Sequence, residues 1–265
     1  MEALKFSTRK LTNNLGIIYS MRIKITGSSG FVGGLLCRVL ETQTENRYDI
    51  LDANNPMDIR NESVTDSICQ SCDVIVHLAE ISGLKACDEN KDKAFDVNTR
   101  ATITLAEKAK KAGAKRFIFA SSSAVYGEAQ QYKMDESHPT EPRSIYGHTK
   151  LDAEIPIKKL ASKDFEVIIL RKSNLYGYGL VWKGITVIDK FIEAIFTNKP
   201  MQISGDGSQR RDFLHVIDAV NVYKKIANSP RVRSGVYNLG GGEAPSIREL
   251  AEMVNDSAEA ILGKR

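Results

Sequence analysis

Tyr146-Gly147-His148-Thr149-Lys150 sets a phenol and an ammonium four residues apart, which on a helix puts them on one face. A free phenol, with a pKa of about 10, is a poor base at neutral pH, but a neighbouring lysine cation favours the phenolate. Such a base can take the proton of a hydroxyl while hydride leaves the same carbon for an acceptor, and a cationic acceptor would favour phenolate further. The same spelling also arises by chance, as a half-buried aromatic beside a solvated lysine. Its order along the chain raises its significance: it follows a glycine-rich turn, an apolar strand and the serine cluster Ser121-Ser122-Ser123.

The glycine-rich turn is the second chemical element. Gly27-Ser28-Ser29-Gly30-Phe31-Val32-Gly33 comes directly after the first apolar run and opens an amphipathic one. At such a junction the free backbone N–H groups and the helix dipole favour an anion. The first glycine permits a tight turn, the second lets a pyrophosphate approach the backbone, and the third lets the helix pack on the sheet. The spacing is G-x-x-G-x-x-G and by itself serves packing equally well; its place at the first strand-to-helix junction makes a dinucleotide the expected ligand, with Phe31 and Val32 in the first turn facing it. Asp52, at the end of the next apolar run, stands where a carboxylate would accept the adenosine ribose hydroxyls and repel a 2′-phosphate. No arginine is adjacent in Asp52-Ala53-Asn54-Asn55, so NAD is expected rather than NADP. The alternative for Asp52 is a polar turn residue closing a strand.

These groups must be carried by a scaffold, and the hydrophobic pattern describes one. From Met21 onward short Val/Ile/Phe-rich runs predict strands at Arg22 to Thr26, Tyr48 to Asp52, Val74 to Leu78, Arg116 to Ala120 and Val167 to Arg171. Between them helical spacing predicts helices over Phe31 to Glu41, Lys91 to Ala112 and Tyr146 to Ser162. That alternation specifies an α/β protein with a doubly wound parallel sheet. After Arg171 the pattern breaks into a Tyr/Gly-rich loop, a helix around Val187 to Asn198, a turn at Gly205 to Gly207, and then helix, strand and helix, which reads as a second, smaller lobe.

Composition excludes other classes. Of 265 residues 42% are hydrophobic and 26% charged, with a net charge of +4, so disorder is not expected and neither nucleic acid nor an anionic membrane is indicated as a partner. No apolar run reaches bilayer-spanning length. Cys69-Gln-Ser-Cys72 lacks a second ligand pair and precedes an apolar run, so no metal site is expected. Four thiols without a disulfide framework suit the reducing cytoplasm. Residues 1–20 read as an unstructured or mis-assigned extension, with Met21 as the candidate true start.

The ordered set of motifs resembles the extended short-chain dehydrogenase/reductase family, specifically its NAD-dependent epimerase/dehydratase branch. Beyond the glycine turn and Tyr146/Lys150, the likeness includes Asp58-Ile59, His77-Leu78-Ala79, Asn98, and Ser121-Ser122-Ser123-Ala124-Val125-Tyr126-Gly127. It continues through Leu170-Arg171, Asn174-Leu175-Tyr176-Gly177 and the stretch from Gly205 to Phe213 that contains Arg211. The resemblance implies a Rossmann-type NAD domain over 21–172, with a return segment near 209–238, and a substrate lobe from 173–208 and 239–265. It implies that Asp58, Ile59, Leu78, Ala79 and Asn98 contact the cofactor, with Lys150 holding the nicotinamide ribose. It gives Ser122 the part of the catalytic hydroxyl, Ser123 and Asn174 contacts to a sugar nucleotide, and Arg211 its pyrophosphate, where a bidentate guanidinium suits. A homodimer through the two long helices is likewise implied.

Dehydratases of the family carry an acid pair after the catalytic hydroxyl, whereas here Ser123 and Ala124 stand in those places. Oxidation at C4 and return of the hydride, as in a UDP-glucose 4-epimerase, is therefore the expected reaction. The alternatives are another sugar-nucleotide oxidoreductase of the family, such as a 4-ketoreductase or dehydratase, and a truncated NAD-binding protein without catalysis. Two departures stand out: Glu80 replaces a small residue after the third apolar strand, and the chain stops at Arg265, which leads us to expect a C-terminal lobe that ends early.

Overall fold

The computed structural model describes residues 21–42, 58–128, 134–181 and 186–263, together with the backbone of β1 (Leu11–Thr12) and β2 (Ile18–Tyr19). These two short strands pair antiparallel, so the segment expected to be an unstructured extension contains a local ladder, built from residue types that favour strands.

The main sheet is made by β3 (Ile23–Thr26), β4 (Val74–His77), β5 (Arg116–Ser122), β6 (Glu166–Lys172) and β9 (Gly235–Leu239), in that spatial order and all parallel. Its register aligns Thr26 with His77, His77 with Phe119 and Ser122 with Lys172, so the carboxyl ends of the strands lie side by side. All seven residues of β5 are buried, as a strand covered on both faces requires. Alternation along the strands divides the core. Ile23, Ile25, Val76 and Ile118 face α1 (Phe31–Glu41) and α8 (Val216–Asn228), while Ile75, Phe117, Phe119 and Ile169 face α2 (Glu62–Cys69), α5 (Thr102–Lys111) and α6 (Ile145–Lys159). Each such side chain contributes on the order of 1.5–3 kcal/mol by leaving water.

The remaining elements shape the rim. The loop after β4 leads into α3 (Leu84–Glu89) and α4 (Lys91–Phe95). A π-helical turn over Asp96–Ala101 then joins α4 to α5, so the helix expected to run unbroken through Lys91 to Ala112 carries a bulge at Asn98. After β6 the chain forms β7 (Asn174–Tyr176), which pairs parallel with β8 (Phe213–His215). Next to this ribbon, α7 (Val187–Phe196) and α9 (Ile247–Leu262) share a small core of Ile188, Phe191, Ile247 and Leu250. Both helices begin with capping boxes, Thr186/Asp189 and Ser246/Glu249.

Helices α2 and α3 and the β7/β8 ribbon are not evident in the sequence. The first is mostly polar and buries only Thr65, Ile68 and Cys69, and three-residue strands carry no period. The predicted strand Tyr48 to Asp52, and Asp52 with it, lies outside the described residues. Cys69 closes α2, and burial pushes the thiols of Cys69 and Cys72 up to about 12 and about 11, away from thiolate chemistry. Among the described residues no helix is long and apolar enough to cross a membrane.

Candidate active site

A cleft of about 1180 Å³ opens along the carboxyl ends of the strands, where open α/β sheets bind ligands. Gly27 to Gly33 form one wall, with Asp58 and Ile59 at one end; Leu78, Ala79, Ser122 and Tyr146 line the floor, and Asn174 and Arg211 the far side. The fold thus gathers most of the predicted site residues, which span 185 positions of sequence from Gly27 to Arg211, along one surface.

The turn is built by backbone. Gly27 has φ +73°, and a Cβ there would meet Ala79 N at 2.7 Å, while one at Gly33 would meet Gly27 O at 2.1 Å. Gly30 N donates to Gly27 O at 2.9 Å, and α1 starts with no side-chain cap and no acidic residue in its first turn. Its first N–H groups therefore meet the cleft with an uncompensated dipole, the arrangement a pyrophosphate needs. Two buried hydroxyls on cleft-lining residues, Ser173 Oγ and Tyr223 Oη, have no protein partner, as in a surface shaped for a polar ligand. By these observations the residues present fit a dinucleotide.

Beneath the turn a buried chain of side chains locks β3 to β4. Thr26 Oγ1 accepts from the N–H groups of Leu78 and Ala79, both at 3.2 Å, so its own proton points to His77 Nδ1 at 2.6 Å. His77 Nε2 then donates to Thr102 Oγ1 at 2.8 Å. Burial holds the imidazole at about pKa 3, so the ring is neutral and serves as a strut.

Helix α6 begins where Ser144 Oγ accepts from Gly147 N, which puts Tyr146 in the first turn and Lys150 one turn below it. The buried pair Arg171–Glu154, at 2.7 Å, ties α6 to β6 and fixes the helix against Lys172. At the floor, the Tyr146 hydroxyl donates to Glu80 Oε2 at 3.2 Å and accepts from Lys172 Nζ at 3.3 Å. The Ser122 hydroxyl also acts on the phenol, in the direction that lowers its pKa. Lys172 also donates to Glu80 Oε1 at 3.1 Å. Lys150 Nζ lies 2.5 Å from Glu80 Oε2 and donates to Ala120 O at 2.8 Å.

Electrostatics follow from this packing. Burial pushes the Glu80 carboxyl up, but Lys150 and Lys172 outweigh it and hold the group at about 2, which favours the carboxylate. Burial, then the Glu80 charge, push the Tyr146 phenol above its ordinary range, with Lys172 and Ser122 pulling the other way. The Lys150 ammonium, expected to favour the phenolate together with the nicotinamide ring, here contacts Glu80 and the Ala120 carbonyl and stands 5.8 Å from the centre of the Tyr146 ring.

Other expected contacts find different places. Asn98 is wholly buried; its Oδ1 accepts from Ile81 N at 2.8 Å and its Nδ2 donates to Ile81 O at 3.0 Å, so it braces the loop that carries Glu80 and is not among the cleft-lining residues. Lys150 and Ser123 are also outside that lining. Asp58 lines the cleft and forms a two-point pair with Arg60. Arg211 faces the cleft while its neighbour Arg210 is engaged with Glu249 and Ala244 O. Lys172 is the group that sequence reasoning missed. The signal was available in Glu80, an acidic residue in an apolar setting that required a cation.

Comparison with known proteins identifies the family. The profile of the NAD dependent epimerase/dehydratase family matches residues 23–240. A putative UDP-glucose 4-epimerase of Methanocaldococcus jannaschii is 32% identical over 91% of this chain and 85% of its own length. The dTDP-D-glucose 4,6-dehydratase of Mus musculus is 27% identical over 88% and 72%. Among solved structures, MoeE5 in complex with UDP-glucose and NAD superposes with a TM-score of 0.78 at 28% identity, covering 93% of this chain and 83% of that one.

Proposed function

The chain belongs to the NAD dependent epimerase/dehydratase family, and from that premise we propose that it is an NAD-dependent sugar-nucleotide epimerase acting at C4, with a UDP-sugar as substrate. Gly27, Gly30, Phe31, Val32 and Gly33 would hold the pyrophosphate of NAD, Asp58 and Ile59 the adenine end, and Leu78 and Ala79 the middle of the cofactor. When bound, NAD supplies the acceptor and donor of hydride. Tyr146, with Ser122 beside it, takes the proton of the sugar hydroxyl and returns it to the oxygen when the sugar is reduced. Asn174 and Arg211 orient the sugar nucleotide from the far wall, Arg211 through a guanidinium suited to phosphate.

The observation that carries the choice of epimerase is the pairing of the carboxyl beside the phenol with two ammonium groups. Elimination of water from an oxidised sugar needs a proton donor, and dehydratases are among the relatives of this chain. Here Ser123 and Ala124 follow Ser122, and Glu80 is paired with two ammonium groups that favour its anion, so among the described residues no protonated carboxyl is offered beside Tyr146. A homodimer through the two long helical stretches, Lys91 to Ala112 and Tyr146 to Ser162, is part of the reading; sedimentation tests it separately. The decisive experiment incubates the NAD-loaded protein with UDP-, GDP- and dTDP-sugars and analyses the products by NMR. C4 epimers without added reductant are expected; a 4-keto-6-deoxy sugar, or no change across the panel, refutes the assignment.

A further inference from the structure

Glu80 and Lys172 lie 92 positions apart in sequence and meet at the phenol of Tyr146. Both line the cleft, as does Tyr146, whereas Lys150 does not. The Lys150 side chain is 2% exposed and that of Lys172 12%, and the Lys150 ammonium is surrounded by Glu80 Oε2, the Ala120 carbonyl and the ring of Phe119 at 4.8 Å. It stands 5.8 Å from the centre of the Tyr146 ring, while Lys172 Nζ stands 3.3 Å from the hydroxyl oxygen itself. The ammonium in contact with the reacting oxygen is therefore the one from β6, not the one from the same helix.

We propose that Lys172 is the positioning residue against which the Tyr146 phenol works, and that Glu80 ties Lys172 and Lys150 into one unit so that Lys150 reaches the phenol only at second hand. The inference deepens the proton-transfer role given to Tyr146 above and rests on it. Two ammonium groups and one carboxylate leave the unit with a single net positive charge, the same as one lysine alone, so Glu80 admits a second cation without adding net charge at the place where hydride is exchanged. When Tyr146 holds a negative charge, Lys172 is adjacent to it and Glu80 opposes it. The other groups around the phenol are the Ser122 hydroxyl from β5, the Cys87 thiol from α3, raised by burial, and Tyr223 from α8, also raised. His77 from β4, facing Lys150 and Glu80, is neutral.

The geometry assigns opposite signs to two substitutions. In protein carrying tyrosine labelled with 13C at the ring carbon bearing oxygen, loaded with NAD, the Tyr146 resonance is identified by its loss in Tyr146→Phe and followed against pH. Lys172→Met should raise its midpoint by about 1–3 units, or carry it beyond the range where the parent titrates, and Glu80→Gln should lower it by a similar amount. Lys172→Arg should restore the parent midpoint, which a merely structural role would not require, and Lys150→Met should move it less than Lys172→Met. The acid limb of the kcat profile should shift in the same order. A larger shift from Lys150→Met, or no shift from Lys172→Met and Glu80→Gln, overturns the proposal. The titration needs no sugar, so a silent substrate panel with the predicted order of midpoints would sink the epimerase reading and leave this one standing.

Discussion

Gly33 and Gly34 are adjacent interior residues of α1, and replacing either by alanine offers the helix the same backbone gain of about 0.5–1 kcal/mol. Their surroundings differ. A Cβ at Gly34 would lie 3.4 Å from Ser28 O and 3.5 Å from a methyl of Leu180, ordinary contacts. At Gly33 it would lie 2.1 Å from Gly27 O and 2.8 Å from Gly27 C, so the carbonyl must retreat by about 1.3 Å to reach the 3.4 Å of normal contact. It has no room to do so, because Gly27 is itself packed on the backbone of Leu78 and Ala79, and its carbonyl accepts the Gly30 N–H. Gly33→Ala should therefore cost about 1–3 kcal/mol of stability. It should also misplace N–H groups that bind phosphate, each worth about 1.5–3 kcal/mol, which weakens NAD binding by roughly 10- to 100-fold. Gly34→Ala should leave NAD affinity within about twofold and match or exceed the parent in stability. Calorimetric titration with NAD and urea unfolding of both variants decide the matter. Equal NAD affinities in the two variants would refute the claim that the third glycine of the turn fixes the cofactor wall.

Tyr146→Phe removes one oxygen from the floor of the cleft and nothing from the glycine turn; turnover should fall by about 10²- to 10⁴-fold while NAD affinity, read by calorimetry, stays within about twofold. Acid should destabilise the fold through His77. Its folded pKa of about 3 lies below the ordinary 6.5, so between those values the unfolded chain binds the extra proton and stability falls as pH is lowered, by up to about 1.4 kcal/mol per unit from this group. Glu80, held at about 2 against an ordinary 4.5, adds a second loss below pH 4.5 in the same direction. Urea unfolding across pH 8 to 4 should show the decline, and the His77 ring protons should not titrate in the folded protein; a His77 midpoint near 6.5 would contradict the buried strut.

The parts of this site that were legible in the sequence are those whose chemistry depends on local spacing. Gly27 to Gly33 must adopt one backbone path to turn a strand into a helix, and Tyr146 and Lys150 share a helical face wherever that helix packs. Strands β4 to β6 declare themselves by runs of Val, Ile and Phe because both faces of a parallel sheet are dry. What stayed hidden is set by contacts between distant segments. Asn98 is recognisable as a motif residue, yet its work on the Ile81 backbone depends on a π turn that no periodicity announces. Lys150 is recognisable as a cation, but its partner is chosen by Glu80, which the loop after β4 brings to the floor of the cleft. Lys172 reads as the polar end of a buried strand until the register of β5 with β6 sets it across from Ser122 and within reach of the phenol. A buried carboxylate costs several kcal/mol unless it is paired, so an acid in an apolar strand end implies a cation somewhere in the chain. Thirty-seven lysines and arginines could have answered that requirement by sequence alone, and only the sheet register selects Lys172 as the second cation beside Lys150.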